Sequence, residues 1–164
     1  MSKLRDRFDW LVATCCGFGY SPIFPGTAGA LWGIVLFVPI VVYVDEPWQT
    51  ALIALALAVS CSETVRLGKW AEDYFDEKDS GKFVTDEVAG FLLTVLLFRT
   101  SNVWLTVLWA FPVTRIIDII KIPPARRLEH LPGGWGVIAD DLLGSLYAAA
   151  LLHALRLLSP EWFI

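Results

Sequence analysis

The sequence predicts an all-α protein, a small polytopic membrane bundle of four or five spans preceded by an N-terminal helix at the membrane interface. Of the 164 residues, 56% are hydrophobic and 18% charged, and the mean hydropathy is +0.59, whereas soluble domains average roughly 45–50% and 25%. Indole rings favour the level of the lipid headgroups. They stand near the ends of apolar runs at Trp10, Trp48, Trp70, Trp104 and Trp162. A soluble bundle with an oversized core is disfavoured, because so short a chain has too much surface to hide these apolar side chains.

The N-terminal segment resembles a signal peptide, because Lys3, Arg5 and Arg7 precede a short apolar stretch at residues 10–16. No small-residue cleavage site follows this stretch, so we expect a helix that is retained at the interface. The whole chain, residues 1–164, has the length of one domain and is too short for two.

Residues 28–44 form the clearest span, and Thr27 is placed to cap it, since a threonine hydroxyl accepts hydrogen bonds from the first free amides of a helix. A turn at residues 45–47 separates this span from a second apolar run at residues 48–66. The charged, amphipathic segment 67–86 is predicted to follow as a separate segment on the surface.

The C-terminal half contains shorter apolar runs at residues 88–98, 103–113 and 142–158, with a loop rich in proline and glycine before the last one. Several runs fall short of the roughly 20 residues that cross the hydrocarbon core, which leaves the count at four or five. With the N-terminus inside, eleven of the 13 lysines and arginines fall on the inner side, and only Arg99 and Arg156 fall outside. This asymmetry follows the positive-inside rule and predicts a cytoplasmic N-terminus.

Composition and missing motifs disfavour several functions. The net charge of −4 argues against a nucleic-acid partner, which requires clustered basic residues. The three cysteines suggest neither a disulfide framework nor a metal site. The sequence contains no Walker loop and no nucleophile elbow, so metal-assisted attack by water is the simplest hydrolytic route.

Three acidic clusters fall where apolar helices meet the predicted cytoplasmic edge. Their members are Asp86, Glu87, Asp118, Asp140 and Asp141. Ionised groups near hydrocarbon are costly unless they are paired or bind a cation, and hard oxygen ligands suit Mg²⁺, which also binds substrate phosphate. Acidic pairs also cap helix N-termini, where the helix dipole favours negative charge. The coincidence of three clusters favours metal binding over capping.

A basic stripe accompanies one of these carboxylates, because Arg115, Asp118 and Lys121 recur every three residues on one helix face. One interpretation is a row of salt bridges that holds the helix. The other is that Arg115 and Lys121 bind a phosphate while Asp118 binds the metal. The spacing alone leaves both open.

Two loops rich in glycine and proline are candidate substrate-binding elements. The first ends at a helix start, where free amides bind anions, and the second would let the backbone approach a lipid headgroup closely. The candidate residues are Ser21, Pro25, Gly26, Thr27, Gly133 and Gly134. Both loops also fit ordinary turn chemistry.

Four motifs follow one another along the chain, at residues 17–31 (GFGYSPIFPGTAGAL), 86–90 (DEVAG), 115–121 (RIIDIIK) and 133–144 (GGWGVIADDLLG). Their residues, order and rough spacing resemble the phosphatidylglycerophosphatase A family over most of residues 15–150. The resemblance implies Mg²⁺-dependent removal of the terminal phosphate from phosphatidylglycerophosphate, which gives phosphatidylglycerol. It also implies an active site at the cytoplasmic face of a bacterial inner membrane.

The resemblance implies a division of roles in such a reaction. The carboxylates would supply the metal ligands and, in one case, the general base that activates water. These carboxylates are Asp86, Glu87, Asp118, Asp140 and Asp141. Arg115 and Lys121 would neutralise the phosphoryl oxygens as charge develops on them. The turn at residues 25–27 would offer amides and a hydroxyl to the phosphate or to its diester neighbour. Direct attack by water and a covalent aspartyl-phosphate both remain open.

The rival hypothesis is a small transporter or channel subunit whose carboxylates relay ions. It predicts acidic residues near the middle of the membrane, whereas these fall at the ends of the predicted spans, which favours the enzyme. A non-catalytic lipid-binding scaffold is a weaker third hypothesis. The sequence leaves the oligomeric state open.

Overall fold

The chain folds into a bundle of helices, and the computed structural model describes residues 3–78, 80–128, 131 and 133–164. Within these residues it contains α-helices and two short 3-10 helices, at Phe18–Tyr20 and Pro160–Phe163, and no strand. The α-helices are α1 (Lys3–Ala13), α2 (Pro25–Tyr43), α3 (Glu46–Phe75), α4 (Thr85–Leu97), α5 (Val103–Ile120), α6 (Ala125–Leu128) and α7 (Gly134–Leu158). The predicted all-α class is therefore confirmed.

Four of these helices, α2, α3, α5 and α7, are long and apolar enough to cross a membrane. Helix α4 has 13 residues and is about 20 Å long, which is shorter than the roughly 30 Å of hydrocarbon. The extended residues Phe98 and Asn102 frame the connection from its end to the start of α5. The bundle thus has four full-length candidate spans around one short helix, within the predicted range of four or five.

Helix α4 forms the centre of the bundle, since α2, α3, α5 and α7 all pack against it. Its Phe91 and Leu92 are fully buried and belong to one apolar cluster with Phe37 of α2 and Leu152 of α7. Gly33 of α2 allows the close approach, because a Cβ atom there would lie 2.6 Å from the Phe91 ring. The residues at the start of α4 are consequently held in place from several sides.

The helices alternate in direction, so one end of the bundle collects the N-termini of α2, α4 and α7 and the C-termini of α3 and α5. We call this the polar end. At the opposite end, Arg99 donates a hydrogen bond to Thr50 at 2.7 Å, and Arg156 donates one to the Arg99 carbonyl at 3.2 Å. The structure therefore separates Arg99 and Arg156 from the basic residues of the polar end, as the charge pattern predicts.

Helix α3 corrects one prediction, because it continues without a break to Phe75 instead of giving way to a separate surface segment after residue 66. Leu67, Gly68 and Ala71 are buried there, and Leu67 and Ala71 pack in a second apolar cluster with Ala13 and Phe83. Small and apolar residues at helical spacing form a buried stripe, which the surrounding charges conceal in the sequence.

Two helix starts also differ from the predictions. Helix α2 begins at Pro25, with Phe24 in the N-cap position, so Thr27 lies inside the first turn and does not cap it. Proline suits the first turn because it has no amide hydrogen to leave unbonded. Helix α7 begins at Gly134, eight residues before the apolar run that predicts it. Asn102, by contrast, does cap a helix, since its side chain accepts hydrogen bonds from the first amides of α5.

The early start of α7 results from a close crossing with α3. A Cβ atom on Gly68 would collide with the Gly134 backbone, and one on Gly134 would lie 2.7 Å from the Val65 Cα and 2.9 Å from the Thr64 carbonyl carbon. Small residues let helices in a membrane approach closely and gain van der Waals contact. This crossing fixes the start of the helix that carries Asp140 and Asp141.

Replacing Gly134 by alanine tests this crossing. We expect Gly134→Ala to destabilise the protein by about 1–3 kcal/mol, because the added methyl group forces two backbones apart. The measurement is the unfolding midpoint in detergent. Gly144→Ala in the same helix is the matched control, since its Cβ atom would meet its nearest neighbour at 3.9 Å, and it should leave the midpoint unchanged or raise it. Equal midpoints for the two variants would contradict the crossing.

Candidate active site

The polar end of the bundle encloses a cavity of about 290 Å³. Residues from four helices and from the segment before α4 line it. Its polar side chains include all five acidic residues singled out by the sequence, namely Asp86, Glu87, Asp118, Asp140 and Asp141, together with Lys121. The fold therefore brings the three predicted acidic clusters into one site.

Three of these carboxylates form a tight group. Oxygen atoms of Glu87, Asp118 and Asp141, one from each of α4, α5 and α7, all lie within 4.8 Å of one another. The oxygen ligands of one Mg²⁺ ion lie about 2.1 Å from the metal, hence about 3–4 Å from one another. The spacing of the group is close to what a single divalent cation requires.

Burial makes an unpaired carboxylate in this group costly. Asp141 is only 8% exposed, and its Oδ2 atom accepts no hydrogen bond within the described part of the chain. A buried anionic oxygen without a donor destabilises the fold, and neighbouring carboxylates add repulsion. A divalent cation would remove both penalties, so this donor set fits a hard metal such as Mg²⁺.

Arg115 links two members of the group from α5. Its guanidinium pairs with Glu87 through one terminal nitrogen and with Asp118 at 3.2 Å through the other. The predicted same-face pair of Arg115 and Asp118 is thus present, and Arg115 also contacts Glu87 of α4. The Arg115 Nε atom is buried and has no acceptor among the described residues, so a third N–H remains available for an anion.

Lys121 forms a second ion pair, with Asp140 of α7 at 3.1 Å. It follows α5 in a left-handed conformation (φ 49°), which ends the helix and directs the chain away. The lysine side chain is 31% exposed and the aspartate side chain only 5%. This pair joins the end of α5 to α7 at the rim of the cavity.

Gly26 places the first turn of α2 against the paired side chains. A Cβ atom at this position would collide with the Glu87 carboxylate and would lie 3.0 Å from an Arg115 terminal nitrogen. A side chain here would displace the Glu87 carboxylate from its pairing with Arg115, which gives a physical reason for Gly26 in the predicted loop.

Helix capping does not explain the whole acidic set. Asp86 and Glu87 do lie in the first turn of α4, where the helix dipole favours negative charge. Asp140 and Asp141 lie in the second turn of α7, beyond its first four amides, and Asp118 lies near the C-terminus of α5, where the dipole opposes a negative charge. A shared cation would account for Glu87, Asp118 and Asp141, whose oxygen atoms lie together, and Asp140 pairs with Lys121.

The remaining predicted site residues lie at different distances from this cavity. Ser21 and Pro25 line a smaller neighbouring cavity of about 250 Å³. Thr27 lines neither cavity. Gly133 precedes α7 with a positive φ of 56° and open space beside it, whereas Gly134 makes its close approach to α3.

Sequence reasoning missed the segment before α4. Ser80, Gly81, Phe83 and Val84 all line the main cavity. Val84 also packs against Gly29 of α2, where an added side chain would collide with it. The available signal was a serine–glycine turn separated by four residues from the acidic pair, which the charges around it obscure.

Comparison with known proteins decides the family. The family described as phosphatidylglycerophosphatase A matches residues 11–156 of the chain. The chain belongs to this family. It is accordingly a phosphatase, and the family match extends over every residue that lines the main cavity.

Individual relatives cover nearly the whole chain. A protein of Escherichia coli named phosphatidylglycerophosphatase A is 31% identical over 93% of this chain and 86% of its own length. Its namesake in Haemophilus influenzae is 30% identical over 89% and 87%. A Bacteroides thetaiotaomicron protein named "Putative phosphatidylinositol-3-phosphatase" is 30% identical over 89% and 92%. No solved structure matches the chain.

The metal site can be tested by its effect on stability, without any substrate. A ligand that binds only the native state stabilises it by about 2.7 kcal/mol at one hundred times its dissociation constant. We expect Mg²⁺ to raise the unfolding midpoint of chelator-treated protein. Asp141→Asn should lose this increase and should itself melt higher without metal, because it removes one repelling charge.

The matched control for this experiment is Asp73→Asn, which changes an exposed carboxylate on α3. It should keep the full response to Mg²⁺. A full response in Asp141→Asn would exclude its carboxylate as a ligand.

Proposed function

We propose that the protein is a Mg²⁺-dependent phosphatase that hydrolyses the terminal phosphomonoester of phosphatidylglycerophosphate to phosphatidylglycerol and inorganic phosphate. The observation that carries the proposal is the cavity in which Glu87, Asp118 and Asp141 stand within 4.8 Å of one another beside Arg115. In a chain of this family, a cation site and a phosphate-binding arginine in one cavity fit that chemistry.

Glu87, Asp118 and Asp141 are the residues proposed to hold the metal. When bound there, Mg²⁺ would supply a positive charge that polarises the phosphoryl oxygens. Asp86 and Asp140 line the same cavity. That they are metal ligands too stays a prediction from the sequence, and the alternative is that one of them accepts the proton of the attacking water.

Arg115 and Lys121 are proposed to bind the phosphoryl oxygens. Arg115 has its Nε–H unused while its terminal nitrogens are fixed by Glu87 and Asp118, so the guanidinium is oriented before substrate arrives. Fixed donors of this kind stabilise charge that develops in the transition state without reorganising. Lys121, at the rim, would move its charge between Asp140 and the substrate.

Hydrolysis then requires one proton transfer on each side of the phosphorus. Water attacks the phosphorus as a cavity carboxylate accepts its proton, the bond from phosphorus to the glycerol oxygen breaks, and that oxygen takes up a proton to become the alcohol. The products are a lipid with a free hydroxyl group and inorganic phosphate. General base catalysis of this kind contributes about 10²–10⁴-fold to a rate.

The name of the Bacteroides relative suggests a second substrate for comparison. Phosphatidylinositol 3-phosphate and phosphatidylglycerophosphate differ in the alcohol, but both carry a phosphomonoester on a headgroup joined to the lipid by a phosphodiester. The two names from E. coli and H. influenzae favour the glycerol headgroup for this chain.

The proposed location is a bacterial inner membrane, with the polar end on the cytoplasmic side. The basic residues concentrate at this end, whereas Arg99 and Arg156 hold the other end together. The positive-inside rule then places the polar end in the cytoplasm. The ion-relay alternative expects carboxylates in the middle of the bundle, and these five line a cavity at its end.

The direct test is phosphate release from phosphatidylglycerophosphate by purified protein. Activity should require Mg²⁺ or Mn²⁺ and disappear with chelator. Glu87→Gln, Asp118→Asn and Asp141→Asn should each lower the rate at least about tenfold, equivalent to about 1.4 kcal/mol of barrier, while Asp73→Asn keeps it. Phosphatidylinositol 3-phosphate, assayed in parallel, should be hydrolysed more slowly. Normal rates in all three amide variants would place the site elsewhere.

Arg115→Lys separates phosphate binding from helix packing. Lysine keeps the charge but loses the planar fork and the Nε donor. We therefore expect a loss mainly in kcat, since the arginine is proposed to meet charge that grows in the transition state. Lys121→Arg should be milder, because a point-charge role tolerates another cation. If Arg115→Lys only lowers the melting temperature and turns over normally below it, the arginine is a structural ion pair.

A further inference from the structure

A second polar cavity lies directly beside the catalytic one. We call it the Lys82 pocket and define it by Tyr20, Ser21, Pro25, Glu77, Gly81 and Lys82; its volume is about 250 Å³. Ser80 and Gly81 line both cavities. The two cavities are therefore adjacent, so two groups of one short ligand could each face one of them.

The lysine of this pocket is held by aromatic rings and not by a carboxylate. Its Nζ atom lies 5.6 Å from the ring centroid of Tyr20 and 5.5 Å from that of Phe75. Among the described residues no carboxylate forms an ion pair with it. Aromatic faces attract a cation without neutralising its charge, so the charge of Lys82 stays available to an anion.

One acidic residue, Glu77, also lines the pocket, and its charge opposes an anion there. Its carboxylate accepts a hydrogen bond from Ser80 at 3.0 Å. Glu77 is exposed whereas Lys82 is partly buried, and charges in contact with water are screened more strongly than buried ones. The charge of the partly buried lysine is therefore screened less than that of Glu77.

The residues of the pocket are held by neighbouring contacts. Gly19 packs against the Lys82 backbone so closely that a Cβ atom there would lie 2.9 Å from its carbonyl carbon. The Tyr20 hydroxyl accepts a hydrogen bond from the Trp10 indole at 3.2 Å, which leaves its own hydrogen to donate. A cation and a hydroxyl donor fixed in advance lower the entropic cost of binding.

We propose that the Lys82 pocket binds the phosphodiester of the lipid headgroup while the terminal phosphomonoester occupies the catalytic cavity. This inference rests on the proposed function. The headgroup of phosphatidylglycerophosphate carries both groups on one three-carbon glycerol, a short separation that suits two cavities with a common wall. The singly charged diester matches the point charge of one lysine, and the doubly charged monoester matches the metal and Arg115. Lys82 is a binding residue in this scheme and touches no reacting atom.

Equilibrium binding of two probes separates the cavities. Short-chain phosphatidylglycerol, in neutral detergent, carries only the diester, and inorganic phosphate represents only the monoester. Lys82→Met, which keeps the aliphatic stem and removes the charge, should raise the dissociation constant of phosphatidylglycerol about tenfold and leave that of phosphate within about twofold. Lys82→Arg should restore most of the phosphatidylglycerol affinity. Lys69→Met, at an exposed position of α3, is the control for lost surface charge and should change neither constant.

Kinetics on phosphatidylglycerophosphate give an independent measurement. Lys82→Met should raise KM about tenfold with kcat within about twofold. Unchanged phosphatidylglycerol binding in Lys82→Met, or an equal loss in Lys69→Met, would overturn the pocket assignment even if the wild-type enzyme is active. If the wild-type protein releases no phosphate from this lipid, the proposed function fails, whereas the binding experiment still decides whether Lys82 recognises a phosphodiester.

Discussion

Burying carboxylates at the end of an apolar bundle is the constraint on which the rest of the structure depends. Glu87, Asp118 and Asp141 meet at distances where their charges repel strongly, and little water reaches them. Arg115 compensates part of this charge, and the N-terminus of α4 contributes a positive dipole. What remains is an excess of negative charge that favours a cation. Gly68 and Gly134 allow the backbones of α3 and α7 to come close, and Gly26 leaves room for the Glu87 and Arg115 side chains.

Much of the fold was predictable, because lipid requires helices and the apolar runs set their approximate places. The structure confirms the all-α class and places helices at the predicted apolar runs. The continuation of α3 to Phe75 was not predictable from hydropathy, since its last turns mix charges with the small residues Gly68 and Ala71 that pack inside. The same holds for α4, whose 13 residues look too short for a span yet form the centre of the bundle.

For the candidate site, too, the sequence predicts some features and leaves others unpredicted. Residue chemistry alone singled out the five acidic residues that line the cavity, because ionised groups at the ends of apolar runs are costly unless they are paired or bind a cation. Pairings between helices distant in sequence could not be read from spacing, as with Arg115 and Glu87 or Lys121 and Asp140. Gly134 shows a role that its loop did not reveal, since it packs closely against α3, while its predicted approach to a headgroup stays a prediction.

The position of the main cavity at the ends of α2, α4, α5 and α7, and not between their middles, has a consequence for direction. In the proposed reaction, a lipid headgroup would enter from one phase and water from another, and the two products would separate along the same boundary. The diacyl product would stay in the bilayer and diffuse in two dimensions, whereas inorganic phosphate would dissolve in three. Reversal would require both products to meet in one cavity, so its rate falls as phosphate is diluted into the water; this separation of the products, and not the shape of the cavity, favours hydrolysis.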